Sequence, residues 1–81
     1  KSSLAFSVEH RPGSLVRALE VFAKAGVNLT KIESRPVPGM PWEYVFFVDL
    51  RFDSAAQIDA ALGQLAQHTQ MLKELGRYVA A

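Results

Sequence analysis

At 81 residues the chain is long enough for one hydrophobic core and too short for two, close to the size at which a single core only just suffices. The absence of cysteine excludes disulfides and thiolate metal sites, and it fits a reducing compartment. A formal net charge of +1, with both signs dispersed, gives no electrostatic reason to expect nucleic acid or a membrane as a partner, and no apolar run approaches the roughly 18–20 residues needed to span a bilayer.

The first residues, Lys1-Ser2-Ser3-Leu4, lack the apolar stretch of a signal peptide, so a cytoplasmic domain is expected. The chain opens abruptly in a strand, which fits a piece of a longer protein. Over residues 3–8, Leu4, Phe6 and Val8 alternate with Ser3, Ala5 and Ser7, the pattern of a half-buried strand. Pro12-Gly13 then signals a turn. From residue 14 to 25 the period changes to that of a helix. Leu15, Leu19, Phe22 and Ala18 or Ala25 form an apolar stripe, Arg17, Glu20 and Lys24 lie outside it, and Gly26 supplies a left-handed stop.

Residues 27–37 read as a second strand of imperfect parity, because Leu29 and Ile32 share a face only if a bulge or a ligand-facing excursion intervenes. It carries an unusual density of polar groups for a strand of a small core. Pro38-Gly39-Met40-Pro41 marks a hairpin. Residues 42–52 form the strongest strand, with Trp42, Tyr44, Phe46, Val48, Leu50 and Phe52 on the core side and Glu43, Val45, Phe47, Asp49 and Arg51 opposite. Ser54-Ala55-Ala56-Gln57 has the form of a capping box and opens a helix over 54–68, with Ile58, Ala61 or Leu62, Leu65 and Thr69 at helical spacing. Gly63 inside it costs about 1 kcal/mol relative to alanine. Residues 71–78 read as the last strand. The order β-α-β-β-α-β, with right-handed crossovers, predicts an α+β, ferredoxin-like domain: a four-stranded antiparallel sheet with two helices on one face.

Two stretches carry chemistry beyond folding. A helix start approached by glycine, at Gly13, Ser14 and Leu15, offers free backbone N–H groups to an anion such as a carboxylate. Asn28 and the backbone of Leu29 and Thr30 offer acceptors to an ammonium, and Leu15, Leu29 and Ile32 an apolar wall. These groups permit an amino-acid zwitterion with an apolar side chain; a turn, a cap and an edge strand account for the same residues. Catalysis is not expected, because His10 and His68 lie in different elements and no carboxylate pair has a spacing that forces proximity. His68 reads as a helix-end residue, and Glu33 with Arg35 as a solvated or interfacial ion pair. No metal or cofactor is expected.

Pro12-Gly13-Ser14-Leu15-Val16 resembles the P-G-A-L-V stretch, and Asn28-Leu29-Thr30-Lys31-Ile32-Glu33-Ser34-Arg35-Pro36 matches the N-L-T-K-I-E-S-R-P stretch, of the ACT domains that sense phenylalanine. Those regulatory domains sit at the C-terminus of prephenate dehydratases, with related ones at the N-terminus of aromatic amino-acid hydroxylases. The tail from Leu72 to Tyr78 and the Pro41-Trp42-Glu43-Tyr44 segment are similar to the dehydratase branch. The resemblance implies a non-catalytic regulatory domain, fused to a catalytic one, that binds L-phenylalanine or a related amino acid between the two copies of a homodimer. It places the carboxylate and part of the ring pocket at His10, Pro12, Gly13, Ser14, Leu15 and Val16 of one copy. Asn28, Leu29 and Thr30 of the other would line the ammonium side. Glu33, Ser34, Arg35 and Pro36 form the second motif, expected to shape the regulated interface. The chain departs from the pattern at Ser14, where alanine is usual, and at His10, near a position where asparagine is common.

Other readings are a dimerisation module of the same family without ligand, or the regulatory domain of a hydroxylase. More remote is an RNA-recognition domain, which shares the element order. Its third-strand signature needs a leading basic residue and a glycine that Glu43-Tyr44-Val45-Phe46-Phe47-Val48-Asp49 lacks.

Overall fold

A computed structural model describes residues 1–9 and 11–77, without the side chains of Pro41 and Trp42. His10 and Tyr78, both named above, lie outside the described residues. The elements run β1 (Ser2–Ser7), α1 (Ser14–Lys24), β2 (Asn28–Val37), β3 (Met40–Arg51), α2 (Ala55–Leu65), a 3-10 turn (Ala66–His68) and β4 (Met71–Arg77). The strands form one antiparallel sheet in the order β2-β3-β1-β4, the ferredoxin-like arrangement expected from the element order.

The core is built on the two central strands. Leu4 and Phe6 of β1 and Val48 and Leu50 of β3 are buried together with Ala18, Val21 and Phe22 of α1 and Ile58, Ala61 and Leu65 of α2. Both helices therefore cover the same sheet face. Phe6 meets Phe22 edge-on, with ring centroids 6.3 Å apart, and lies 5.6 Å from Phe46. Val21, absent from the stripe expected of α1, is buried; the helix turns slightly further onto the sheet than Leu15 and Leu19 alone suggest, and both of those are only half-buried.

The parity problem in β2 is resolved by a bulge. Leu29 pairs with Leu50 and Lys31 with Asp49, so Thr30 is the extra residue, and its hydroxyl donates to the carbonyl of Asp49 at 3.1 Å. The bulge restores Ile32, opposite Val48, to the face shared by Leu29. Pro38-Gly39 closes the hairpin, with Gly39 at φ 81°, as a Pro-Gly type II turn requires.

The second helix is shorter than its periodicity predicts. The α-helix stops at Leu65, and residues 66–68 tighten into a 3-10 turn, where Thr69 donates its hydroxyl to the Leu65 carbonyl at 3.1 Å. Ser54 caps its start, accepting from the Gln57 N–H at 3.3 Å. The reciprocal half of the capping box differs from expectation. Gln57 accepts from the N–H of Asp53, one residue earlier, at 2.7 Å, and its amide donates to the Gly26 carbonyl at 2.9 Å. One side chain thus joins the start of α2 to the turn that ends α1. At the opposite sheet edge, Arg77 of β4 reaches Asp59 of α2 at 2.7 Å and Glu74 at 3.0 Å, and Glu74 accepts from the buried Ser2 hydroxyl at 2.6 Å.

Candidate functional site

The β2–β3 hairpin is longer than the central strand it lies beside. β1 pairs with β3 only from Val45 to Leu50, so residues 40–44 run past its end. Parity keeps Tyr44 and Phe46 on the helix face, yet the helices do not reach over them: Tyr44 is 42% exposed and Phe46 half-buried. The turn between β1 and α1 folds back over this ledge. Between them lies an open recess of about 390 Å³ whose walls include Val8, Arg11, Pro12, Ser14 and Leu15 from the turn and helix start, and Tyr44 and Phe46 from the sheet.

Gly13 makes the helix start possible. It is the N-cap of α1 at φ 82°, a left-handed conformation that a side chain disfavours, and no side chain caps the first turn. The Ser14 N–H is taken by the Arg11 carbonyl at 3.2 Å, contrary to expectation, which leaves the other first-turn N–H groups and the positive end of the helix dipole for an incoming anion. Arg11 at the rim is paired with Glu9.

Of the residues singled out in the sequence, the fold brings Pro12, Ser14 and Leu15 into the walls of this recess, with Gly13 between them. Ser34 and Pro36 pair with Phe46 and Tyr44, so they share the face on which the recess opens. Asn28, Leu29 and Thr30 do not join them. They lie where α1 ends, and α1, at 11 residues, is roughly 16 Å long. Ile32 sits between, opposite Val48 and 42% exposed, and Val16 is 57% exposed on the outer side of α1. Within one chain the helix start and the Asn28–Thr30 stretch are thus at opposite ends of a helix and form no single site.

Glu33 and Arg35 point to the sheet face that carries no helices. Glu33 forms ion pairs with Lys31 at 3.2 Å and Arg35 at 3.6 Å, all well exposed, and the Arg35 guanidinium stands 5.4 Å over the Phe47 ring. Such solvated pairs are worth little for stability. No cluster of three or more His, Cys, Asp or Glu side chains with metal-binding geometry occurs among the described residues, and no helix among them is long and apolar enough to cross a membrane.

Comparison with known proteins agrees with this fold. The ACT domain profile matches residues 2–67. The chain belongs to the ACT domain family. Over 79 residues it is 52% identical to a bifunctional chorismate mutase/prephenate dehydratase of Aquifex aeolicus, covering 96% of this chain and 22% of that protein. Among solved structures, a prephenate dehydratase from Arthrobacter aurescens in complex with L-Phe superposes with a TM-score of 0.80 at 31% identity, over 93% of this chain and 25% of that one. A protein described as a novel type of quorum quenching acylase, GqqA, superposes with a TM-score of 0.89 at 33% identity, over 99% of this chain and 42% of that one. The ACT domain described here thus spans about a fifth of its curated relative.

Sequence reasoning missed Tyr44, Phe46, Val8 and Glu9 as part of the recess. Strand parity located Tyr44 and Phe46 on the core side, but the exposure of that end depends on where β1 and the helices stop. No local signal in the ACT domain's sequence encodes that.

Proposed function

We propose that this chain is the phenylalanine-sensing regulatory domain of a prephenate dehydratase, binding L-phenylalanine between two copies of itself. The observation that carries the reading is the apolar recess beside an uncapped helix start. Leu15, Phe46 and Tyr44 suit an aromatic ring, and the first-turn N–H groups of α1 that the Arg11 carbonyl does not take suit a carboxylate. Among the described residues, the one carboxylate in the walls of that recess, Glu9, is paired with Arg11, and the walls offer the ammonium no carboxamide. Asn28, with the backbone of Leu29 and Thr30, supplies one, and in this reading it comes from the second copy, because a helix of roughly 16 Å separates the two stretches within one chain.

The similarity to a dehydratase whose structure holds L-Phe supports the choice of ligand. The catalytic step belongs to the remainder of such a protein. A ligand that spans the interface favours the arrangement of domains that buries it. The fused catalytic domain responds to that arrangement, with a coupling of about 1–3 kcal/mol typical of such systems.

Thermal melting and sedimentation of the domain with increasing L-phenylalanine test this. At a hundredfold excess over Kd the ligand stabilises by about 2.7 kcal/mol, which raises Tm by roughly 10 °C or more in a domain of this size and shifts mass toward the dimer. A folded sample that shows neither change at millimolar phenylalanine refutes sensing. A dimer that forms without any response to the amino acid favours the ligand-free dimerisation module instead.

A further inference from the structure

On the other side of the β1–α1 turn lies a second recess, smaller and more polar, of about 190 Å³. Its walls come from three segments: Arg11 from the turn, Ser14 and Arg17 from the first helical turns, and Gln67, His68 and Gln70 from the connection between α2 and β4. Both walls are tied down. Gln70 donates its N–H to the Ser7 carbonyl at 2.8 Å, Ser14 donates its N–H to the Arg11 carbonyl at 3.2 Å, and Thr69 is bonded back to Leu65.

The charges in this recess are unbalanced. Glu9, the acid on its rim, is held by Arg11. Arg17 and His68 make no ion pair or side-chain hydrogen bond among the described residues. Glu20 stands three residues after Arg17, a spacing at which helical ion pairs form, yet the guanidinium does not take it. A guanidinium and an imidazole therefore face the same small volume, with a serine hydroxyl and two glutamine amides as neutral donors.

We propose that this recess binds a compact oxyanion, a phosphate or carboxylate group held by Arg17 and His68 and oriented by Ser14, Gln67 and Gln70. A guanidinium fork matches both oxyanions in charge and geometry, and the tied backbone holds the exposed side chains of Arg17, Gln67, His68 and Gln70 around one volume. The site opens on the other side of the turn from the apolar recess but shares Glu9, Arg11 and Ser14 with it. Binding of the anion does not depend on the phenylalanine reading; an influence of the anion on amino-acid affinity would.

The test is an NMR titration of the domain at pH 7 with inorganic phosphate and, separately, succinate, each against sodium chloride at equal ionic strength. Saturable shifts at Gln67, Gln70 and the His68 ring are expected with at least one of the two, and the one that binds identifies the class. Arg17→Ala should weaken binding about tenfold or more. Lys24→Ala, which removes an equal charge on the same helix outside this recess, should leave it unchanged. Shifts reproduced by chloride alone, or equal weakening by both variants, would show general charge screening and overturn the proposal. So would no saturable shift with either anion. Melting curves of both variants establish that each remains folded. If phosphate or succinate binds while phenylalanine does not, the anion site stands and the amino-acid reading fails; the reverse result separates the two in the other direction.

Discussion

Gly13 separates stability from binding. Its φ of 82° costs a residue with a side chain about 1–2 kcal/mol. The gain from restricting the unfolded chain returns about 0.4–1 kcal/mol. A Cβ built at this position meets nothing within 4 Å, so no steric collision adds to the strain. Gly13→Ala should therefore destabilise by about 1 kcal/mol, a fall in Tm of roughly 4–8 °C that leaves the domain folded at room temperature. Gly13→Val, with its branched side chain, should cost somewhat more. The effect on L-phenylalanine should be much larger than the effect on Tm. The open space that spares the free domain from a clash is the space through which a carboxylate approaches the backbone N–H groups, so Gly13→Val should lose detectable binding by calorimetry. Wild-type affinity in a variant with the expected Tm would remove the helix start from the site. An unfolded variant would show that the turn contributes far more to stability than strain alone.

Other consequences are open to measurement. Tyr44→Ala removes a half-exposed wall of the apolar recess that the core does not need, so phenylalanine affinity should fall about tenfold with little change in urea midpoint; equal loss of both would make Tyr44 a core residue. Gly63 sits inside α2 with ordinary helical backbone and open space where a methyl group would stand, so Gly63→Ala should stabilise by about 0.5–1 kcal/mol in a urea titration. Destabilisation there would indicate a contact made by the exposed side of α2. The Arg77 guanidinium, helped by the Ser2 hydroxyl, holds the Glu74 carboxyl below its ordinary value of 4.5. Because the folded pKa lies below the unfolded one, this group's contribution is present above about pH 4.5 and is lost as pH falls through the folded pKa. The stability difference between the wild type and Glu74→Gln should accordingly shrink under acid, and a difference independent of pH from 7 to 3 would contradict the linkage.

What the sequence determined by itself was local and periodic. Alternation in residues 3–8 and 42–52, the 3.6-residue stripe after Pro12-Gly13, the glycine stops and the Ser54 cap each depend on neighbours a few residues away, and they sufficed for element order and fold class. Even the conflict between Leu29 and Ile32 announced an irregularity, although only pairing with β3 showed it to be a bulge at Thr30. The nine-residue stretch from Asn28 to Pro36 pointed to the family without explaining its own geometry. Tertiary structure decided the rest. Gln57 reached the Gly26 carbonyl, 31 residues away in sequence, because two chain turns happen to meet. The recess beside Gly13 exists because β3 outruns β1 and the helices stop short of Tyr44 and Phe46, a difference in length between segments that no one segment records. The same architecture separates Asn28 from Gly13 by the length of α1, which is why the proposed amino-acid site calls for a second copy.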